Sequence, residues 1–321
     1  MVVLDRKYKT VSVEFDCTQL AAVLAELGLG SLASFTKLDG GGARSFRIER
    51  RNDVPLVLKA FSDALPPIEK ETFAERLLSD LDVPLTRFLA ADETRSRLPF
   101  CFTIANYLPG ERVVLFKDEP DAAELYRQMG AMLRKLHRVA LPRYGNFGEG
   151  GIVDGKVTNA EYIGECFAYS LERFCHFGGD ESLAQRLGEI VAANAEVIAY
   201  SRGAVFAHDD FQPNNLLAVR DENGRLQLTG LIDFGNARAS DPICDLAKAL
   251  FCSEHDAPGS HAAILEGYGP IDHPDPDAAI WIYQLLHRIT MWSWLRHINV
   301  IQPGTRHDLM FDLERMASES G

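Results

Sequence analysis

The sequence predicts an α+β chain in which a small, antiparallel β-rich N-terminal lobe with a helix precedes a larger, mainly α C-terminal lobe. Three observations predict it. β-rich runs cluster before residue 108, a Pro-Gly break falls at Pro109-Gly110, and helical periodicity dominates afterwards. The break is the natural hinge, so residues 1–108 form the first lobe and 109–321 the second. With 321 residues and 46% apolar composition, the chain has enough apolar material for a sizeable core.

The elements follow in order. Residues 18–28, TQLAAVLAELG, carry apolar side chains at helical spacing and end on Gly28, which marks a short leading helix. The period then changes. Runs at 35–38 and 45–49 flank Gly40, Gly41 and Gly42, and a third follows at Leu56 to Phe61, the pattern of an antiparallel sheet with a glycine turn. IEKETFAERLLSDLDVP is helical until Pro84 excludes continuation, and CFTIANYLPGE is a strand running into the hinge. Beyond the hinge ELYRQMGAMLRKLHRV is the clearest amphipathic helix. A short β pair, NLLAVR and LTGLID, folds around the turn at Asp221 to Gly224. Ser240-Asp241-Pro242 before ICDLAKAL reads as a helix start, with Asp241 as N-cap and Pro242 in the first helical position. No internal repeat or low-complexity tract is present.

Composition narrows the function classes. The net charge of −13 opposes a basic face for nucleic acid and suits a cationic small partner, although acidity alone also serves solubility. Six cysteines without a C-x-x-C pair read as free thiols, not as a zinc site or a disulfide framework. Charge enters the N-terminal segment before an apolar run of signal-peptide length, and His287, Arg288, Arg296 and His297 interrupt the most apolar late segment. The expectation is a soluble cytoplasmic protein with no membrane, nucleic-acid or obligate protein partner.

The chemistry concentrates in AHDDFQPNNLLAVRDENGRLQLTGLIDFGNARASDPICDLAKAL. His208, Asp210 and Asn215 take the spacing H-x-D-x-x-x-x-N, and a hydrophobic strand then ends in Asp233-Phe234-Gly235. Phosphoryl transfer to a hydroxyl needs these residue types. A carboxylate at Asp210 can orient the hydroxyl and take its proton, and hard oxygen donors at Asn215 and Asp233 suit magnesium. The intervening hairpin brings Asn215 and Asp233 to one edge. Singly each has a bland role, as loop organiser, turn amide or turn cap; for His208 the organising role is the better reading, because Asp210 already supplies the base.

This segment resembles the catalytic and metal-binding region of the aminoglycoside phosphotransferase and choline kinase-like family, with residues 206–247 the specific part. GAMLRKLH at 130–137 and ANYLPG at 105–110 are similar to its lobe-linking pattern. The resemblance implies a protein-kinase-like bilobal fold, ATP and Mg2+ as cofactors, Asp210 as catalytic aspartate, and Asn215 and Asp233 as metal ligands. The N-terminal lobe must then supply the rest of the nucleotide site. Lys59, in the strand LVLKAF, would meet the α- and β-phosphates with Glu71 as its partner, Glu69 and Glu75 remaining open. Gly41 and Gly42 would let the backbone approach the phosphates, Ser45 would add a donor, and Asn106 and Leu108 would meet adenine through backbone groups. Asp245, in a segment similar to the family's D-P-x-x-D-L, would brace the catalytic loop.

Differences from protein kinases favour a small acceptor. Gln212 stands where protein serine/threonine kinases place a lysine, and seven residues between Asp233 and Asp241 leave no room for a peptide platform. Glu254, Asp256, Asp272, Asp275 and Asp277 are candidate contacts for a hydroxylated cationic acceptor, although their Pro- and Gly-rich surroundings also suit exposed loops. Trp281, Tyr283, Trp292 and Trp294, at near-helical spacing, read as core more readily than as stacking platforms. The leading expectation is an antibiotic O-phosphotransferase of the aminoglycoside type. A metabolic kinase for choline, an amino alcohol or a sugar is the alternative, and a pseudokinase scaffold comes third.

Overall fold

A computed structural model of the chain describes residues 13–38, 44–61, 68–148 and 150–319. In the first lobe, helix α1 (Cys17–Glu26) starts where Asp16 caps the N–H groups of Thr18 and Gln19 and Gln19 reaches back to the Asp16 N–H. It buries Leu20, Val23 and Leu24 against a sheet of β1 (Leu32–Lys37), β2 (Arg44–Arg50), β3 (Asp53–Phe61), β4 (Phe88–Asp92) and β5 (Cys101–Asn106). The order is β1-β2-β3-β5-β4, with every pair antiparallel. Alternation along β3 sends Leu56, Leu58 and Ala60 into this core and turns Lys59 to the opposite face. Gly41 and Gly42 lie outside the described residues.

Helix α2 (Ile68–Leu77) follows. It ends well before Pro84, because Leu78 and Ser79 bond back three residues, to Glu75 and Arg76, and wind the chain off the helix. Ala74 and Leu78 pack into the core of the second lobe rather than the first, so α2 ties the two lobes together.

The Pro109-Gly110 break comes next in the chain. Gly110 has φ 121°, and a Cβ there would stand 2.5 Å from the Ala218 carbonyl oxygen, so only glycine lets the strand pass. Then come β6 (Glu111–Arg112), a 3-10 turn (Val113–Phe116), α3 (Ala122–Leu136), β7 (Tyr144–Gly148), β8 (Gly151–Lys156), α4 (Asn159–His176), α5 (Glu181–Ala193) and α6 (Ala195–Ala199). The chain continues with β9 (Val205–Ala207), β10 (Leu216–Arg220), β11 (Leu226–Leu231), β12 (Arg238–Ser240), α7 (Pro242–Asp256), α8 (His261–Tyr268), α9 (Pro276–His297) and α10 (Asp308–Glu319). The α+β, two-lobed expectation is met.

This lobe is mainly helical, as expected, but it holds more sheet than the one β pair the sequence suggests. Besides the expected β10–β11 pair, which β6 extends, a second sheet runs β8-β7-β12-β9. Its strands escape sequence reading because β7 and β8 are glycine-rich and β9 and β12 span three residues each. Of the aromatic residues on α9, Tyr283 and Trp292 are core, whereas Trp294 is 50% exposed. Among the described residues no helix is long and apolar enough to cross a membrane.

Candidate active site

The loop from His208 to Asn215 connects β9 to β10 and is fixed from below by α7. Asp241 caps that helix by accepting the Ile243 N–H, with Pro242 in its first turn. One turn in, the buried Asp245 carboxylate accepts the backbone N–H groups of His208 and Asp209, both at 2.8 Å, and stands 3.1 Å from His137 Nε2. Burial would raise the Asp245 carboxyl, but His137 holds it below the usual range. His208 is buried, places Nε2 3.2 Å from the Ile232 carbonyl oxygen and packs its ring 5.2 Å from that of Phe234. It organises the loop and does not reach the cleft as a base.

This bracing leaves Asp210 at the loop's open side. Gln212 Nε2 donates to its Oδ1 and Asn215 Nδ2 to its Oδ2, each at 2.9 Å, and Asn215 Nδ2 also donates to its carbonyl oxygen. Gln212, at the position of the lysine of protein kinases, therefore holds the carboxylate in place. Burial pushes the Asp210 carboxyl up, against the opposing charges of Lys248 and His208. The hairpin does what its sequence implies: Leu216 pairs with Leu231, and the Ile232 N–H donates to the Asn215 carbonyl oxygen at 3.0 Å, so Asn215 and Asp233 meet at one edge.

Asp233 lies just past β11 with φ 67°, a left-handed backbone unusual for a residue with a side chain. Its Oδ1 is 3.2 Å from Lys59 Nζ, which is also 2.8 Å from Glu71 Oε1. Burial opposes charge at all three. Lys59 nonetheless holds Asp233 below the usual carboxylate range, and the two carboxylates raise the Lys59 ammonium above its own, while burial keeps Glu71 high. Of the candidate partners of Lys59, Glu71 is the one it meets; Glu75 binds Arg87 at 3.0 Å, and Glu69 is exposed. One lysine thus bridges α2 and the end of β11 across the cleft.

A family model described as the phosphotransferase enzyme family matches residues 36–280. The chain belongs to that family. This phosphotransferase also has the family's fold. A thermostable mutant of aminoglycoside phosphotransferase APH(4)-Ia, in a ternary complex with AMP-PNP and hygromycin B, superposes with a TM-score of 0.66 at 18% identity, over 94% of this chain and 97% of that one. ADP-bound APH(2'')-Ib gives 0.63 at 18% identity over the same shares. The GDP and kanamycin complex of APH(2'')-IIIa gives 0.62 at 15% identity, over 95% and 98%. No curated protein matches the sequence.

The other predicted positions of the phosphotransferase separate into two groups. Ser45 pairs with Lys59 across β2–β3, and Leu108 lies against Gly230, where a Cβ would come within 2.9 Å of its Cδ1. Asn106 ends β5, but its Oδ1 accepts the Arg87 N–H at 2.5 Å, so its side chain holds the start of β4 rather than facing the cleft. Among the acidic candidates Asp256 reaches the loop, taking Asn214 Nδ2 at 2.5 Å. Three others are engaged elsewhere: Glu254 accepts the Gly259 N–H, Asp272 pairs with Arg202 at 2.9 Å, and Asp275 caps α9 through the Ala278 N–H.

Sequence reasoning missed the charged neighbours of the loop. Asp209 carries Arg238 and Lys248 on its carboxylate, and Lys70 of α2 faces the same cluster, its ammonium lowered to about 8 by burial and by Arg238. A usable signal existed in the Asp209-Asp210 doublet and in Lys248 three residues after Asp245, on the same face of α7.

Proposed function

We propose that this phosphotransferase moves the γ-phosphoryl group of ATP to a hydroxyl of a small acceptor, with aminoglycoside-type antibiotics as the leading class. The observation that carries the reading is the Asp210 carboxylate, held on both oxygens by Gln212 and Asn215 at the edge where Asp233 and Lys59 meet. Asp210 orients the acceptor hydroxyl and takes its proton as the oxygen attacks the γ-phosphorus; the bond to the bridging oxygen breaks and ADP leaves. No covalent enzyme intermediate is required. Lys59, positioned by Glu71, fixes the α- and β-phosphates.

The donor set at the edge fits magnesium. Asn215 spends its amide nitrogen on Asp210, which leaves Oδ1 as a hard donor beside the half-exposed Asp233 carboxylate. Among the described residues no group of three or more His, Cys, Asp or Glu side chains could hold a metal ion, and magnesium needs none, since it keeps waters and takes phosphate oxygens. Bound there, Mg2+ would neutralise charge on the phosphates. In the same reading Ser45, Leu108 and the Asn106 backbone border the nucleotide, the lobes divide at 108/109, and the enzyme works in the cytoplasm.

A metabolic kinase for choline, an amino alcohol or a sugar is favoured by one observation: most of the acidic candidates for a cationic acceptor are occupied within the protein. Coupled ADP release with MgATP against aminoglycosides, hygromycin B, macrolides, choline and small sugars separates the two. Selective turnover of an antibiotic supports the leading class, turnover of a metabolite alone replaces it, and silence on every acceptor overturns the proposal.

A further inference from the structure

Asp209, between His208 and Asp210, has no part in the function proposed above, yet the fold invests heavily in it. Its backbone is left-handed, φ 53°, a region that disfavours any residue with a Cβ. Its N–H donates to Asp245, and its side chain, 6% exposed, turns away from the cleft into two cations. Arg238 comes from β12 and binds Asp209 Oδ2, while Lys248 Nζ reaches the same oxygen at 3.2 Å from α7. Arg238 also pairs with Ala207 across β12–β9 and directs Nη1 to the Tyr162 hydroxyl of α4 at 3.4 Å. The carboxylate therefore joins three pieces of chain: the loop that carries Asp210, the strand that follows the Asp233 turn, and the helix that braces the loop.

We propose that Asp209 is a positioning residue for phosphoryl transfer: held between Arg238 and Lys248, it sets where Asp210 stands relative to Asp233. The inference rests on the function proposed above and goes beyond it. The turn at Asp233 and the loop at Asp210 are linked on one side by the β10–β11 hairpin and on the other by this clamp, and two attachments define a separation that one would leave free to rotate. A residue that merely neutralised two partly buried cations would need neither the left-handed backbone nor a tie to both segments.

The test separates positioning from charge balance. Removing Asp209 alone leaves two partly buried cations facing each other, which threatens folding. Asp209→Gly combined with Lys248→Met removes one charge of each sign and places a glycine where the backbone is left-handed. Unfolding midpoint, MgATP affinity and kcat for ADP release are compared with wild type and with Lys248→Met alone, because Lys248 also acts on the Asp210 carboxyl. The proposal expects a folded protein with MgATP affinity within about threefold and kcat lowered about tenfold or more, the range that misplacement of a reacting group produces. A kcat within about threefold of wild type overturns it. Should the double variant not fold, Asp209→Asn keeps an oxygen for Arg238, and a lowered kcat at unchanged KM for ATP supports the proposal, while an unchanged kcat overturns it. Wild-type protein silent with every acceptor and with water overturns the proposed function and this inference together, a failure distinct from one seen in the variants alone.

Discussion

The two sides of the cleft are held in opposite ways. On the first-lobe side, a single lysine connects Glu71 on α2 to Asp233, whose side chain is 47% exposed. On the second-lobe side, the loop around Asp210 is fixed by buried and partly buried groups: Asp245 on two backbone N–H groups, His208 on the Ile232 carbonyl, Gln212 and Asn215 on Asp210 itself. An ion pair with a water-exposed partner is cheap to rearrange, whereas a buried, fully bonded carboxylate is expensive to disturb. The difference matches the demands of the chemistry. Under the proposed function, the Lys59 side would accept phosphates and the Asp210 side would keep one carboxylate still.

Substitution at the buried side should break the comparison most visibly. Asp245→Ala strips two backbone donors and His137 of their partner, and we expect a loss of about 3–5 kcal/mol of unfolding free energy with near-complete loss of turnover. Denaturant titration checks it; a loss under about 1 kcal/mol would mean the loop is held by something else. Asp233→Ala sits at the exposed side and should leave stability within about 1 kcal/mol while weakening magnesium-dependent nucleotide binding by about tenfold or more. Calorimetry with MgATP reads it, and unchanged affinity would remove Asp233 from the metal site.

A pH effect sharpens the same contrast. His287, buried on α9 with its Nε2 2.8 Å from the Cys244 carbonyl oxygen, is pushed down to about 4 by burial and by Lys248. Unfolded, it titrates near 6.5, so between about 6.5 and 4 the unfolded chain binds the extra proton. Stability then rises with pH through that window and is lost in acid, by about 3 kcal/mol at most. Unfolding midpoints at pH 7 and pH 5 test the sign, and His287→Gln should flatten the difference. A midpoint unchanged between the two pH values in wild type would contradict it.

The legible parts of the site were those whose chemistry and spacing are local. The run from His208 to Asn215, the Asp233-Phe234-Gly235 strand end, and Lys59 with its period-two neighbours all carry their meaning within a few residues. Glu71 was the preferred partner of Lys59, yet Glu69 and Glu75 stayed open because helix register against a sheet is a tertiary fact. Arg238 and Lys248 were invisible for the same reason, lying 29 and 39 residues from the carboxylate they bind. The acidic candidates show the reverse error: Asp272 looks available in sequence because Arg202 is not apparent until the chain folds, whereas Asp275 before Pro276 carries the same cap signature as Asp241-Pro242 and was passed over. In the fold, the sheet β8-β7-β12-β9 was hidden by glycines and by strands too short to show a period.

The account stands on Asp210 acting on the acceptor hydroxyl and not on the nucleotide. Turnover and MgATP affinity of Asp210→Ala, measured side by side on an accepted substrate, test that most directly. We predict turnover reduced by about two orders of magnitude or more with nucleotide affinity within a few-fold of wild type. Turnover equal to wild type would contradict the assignment.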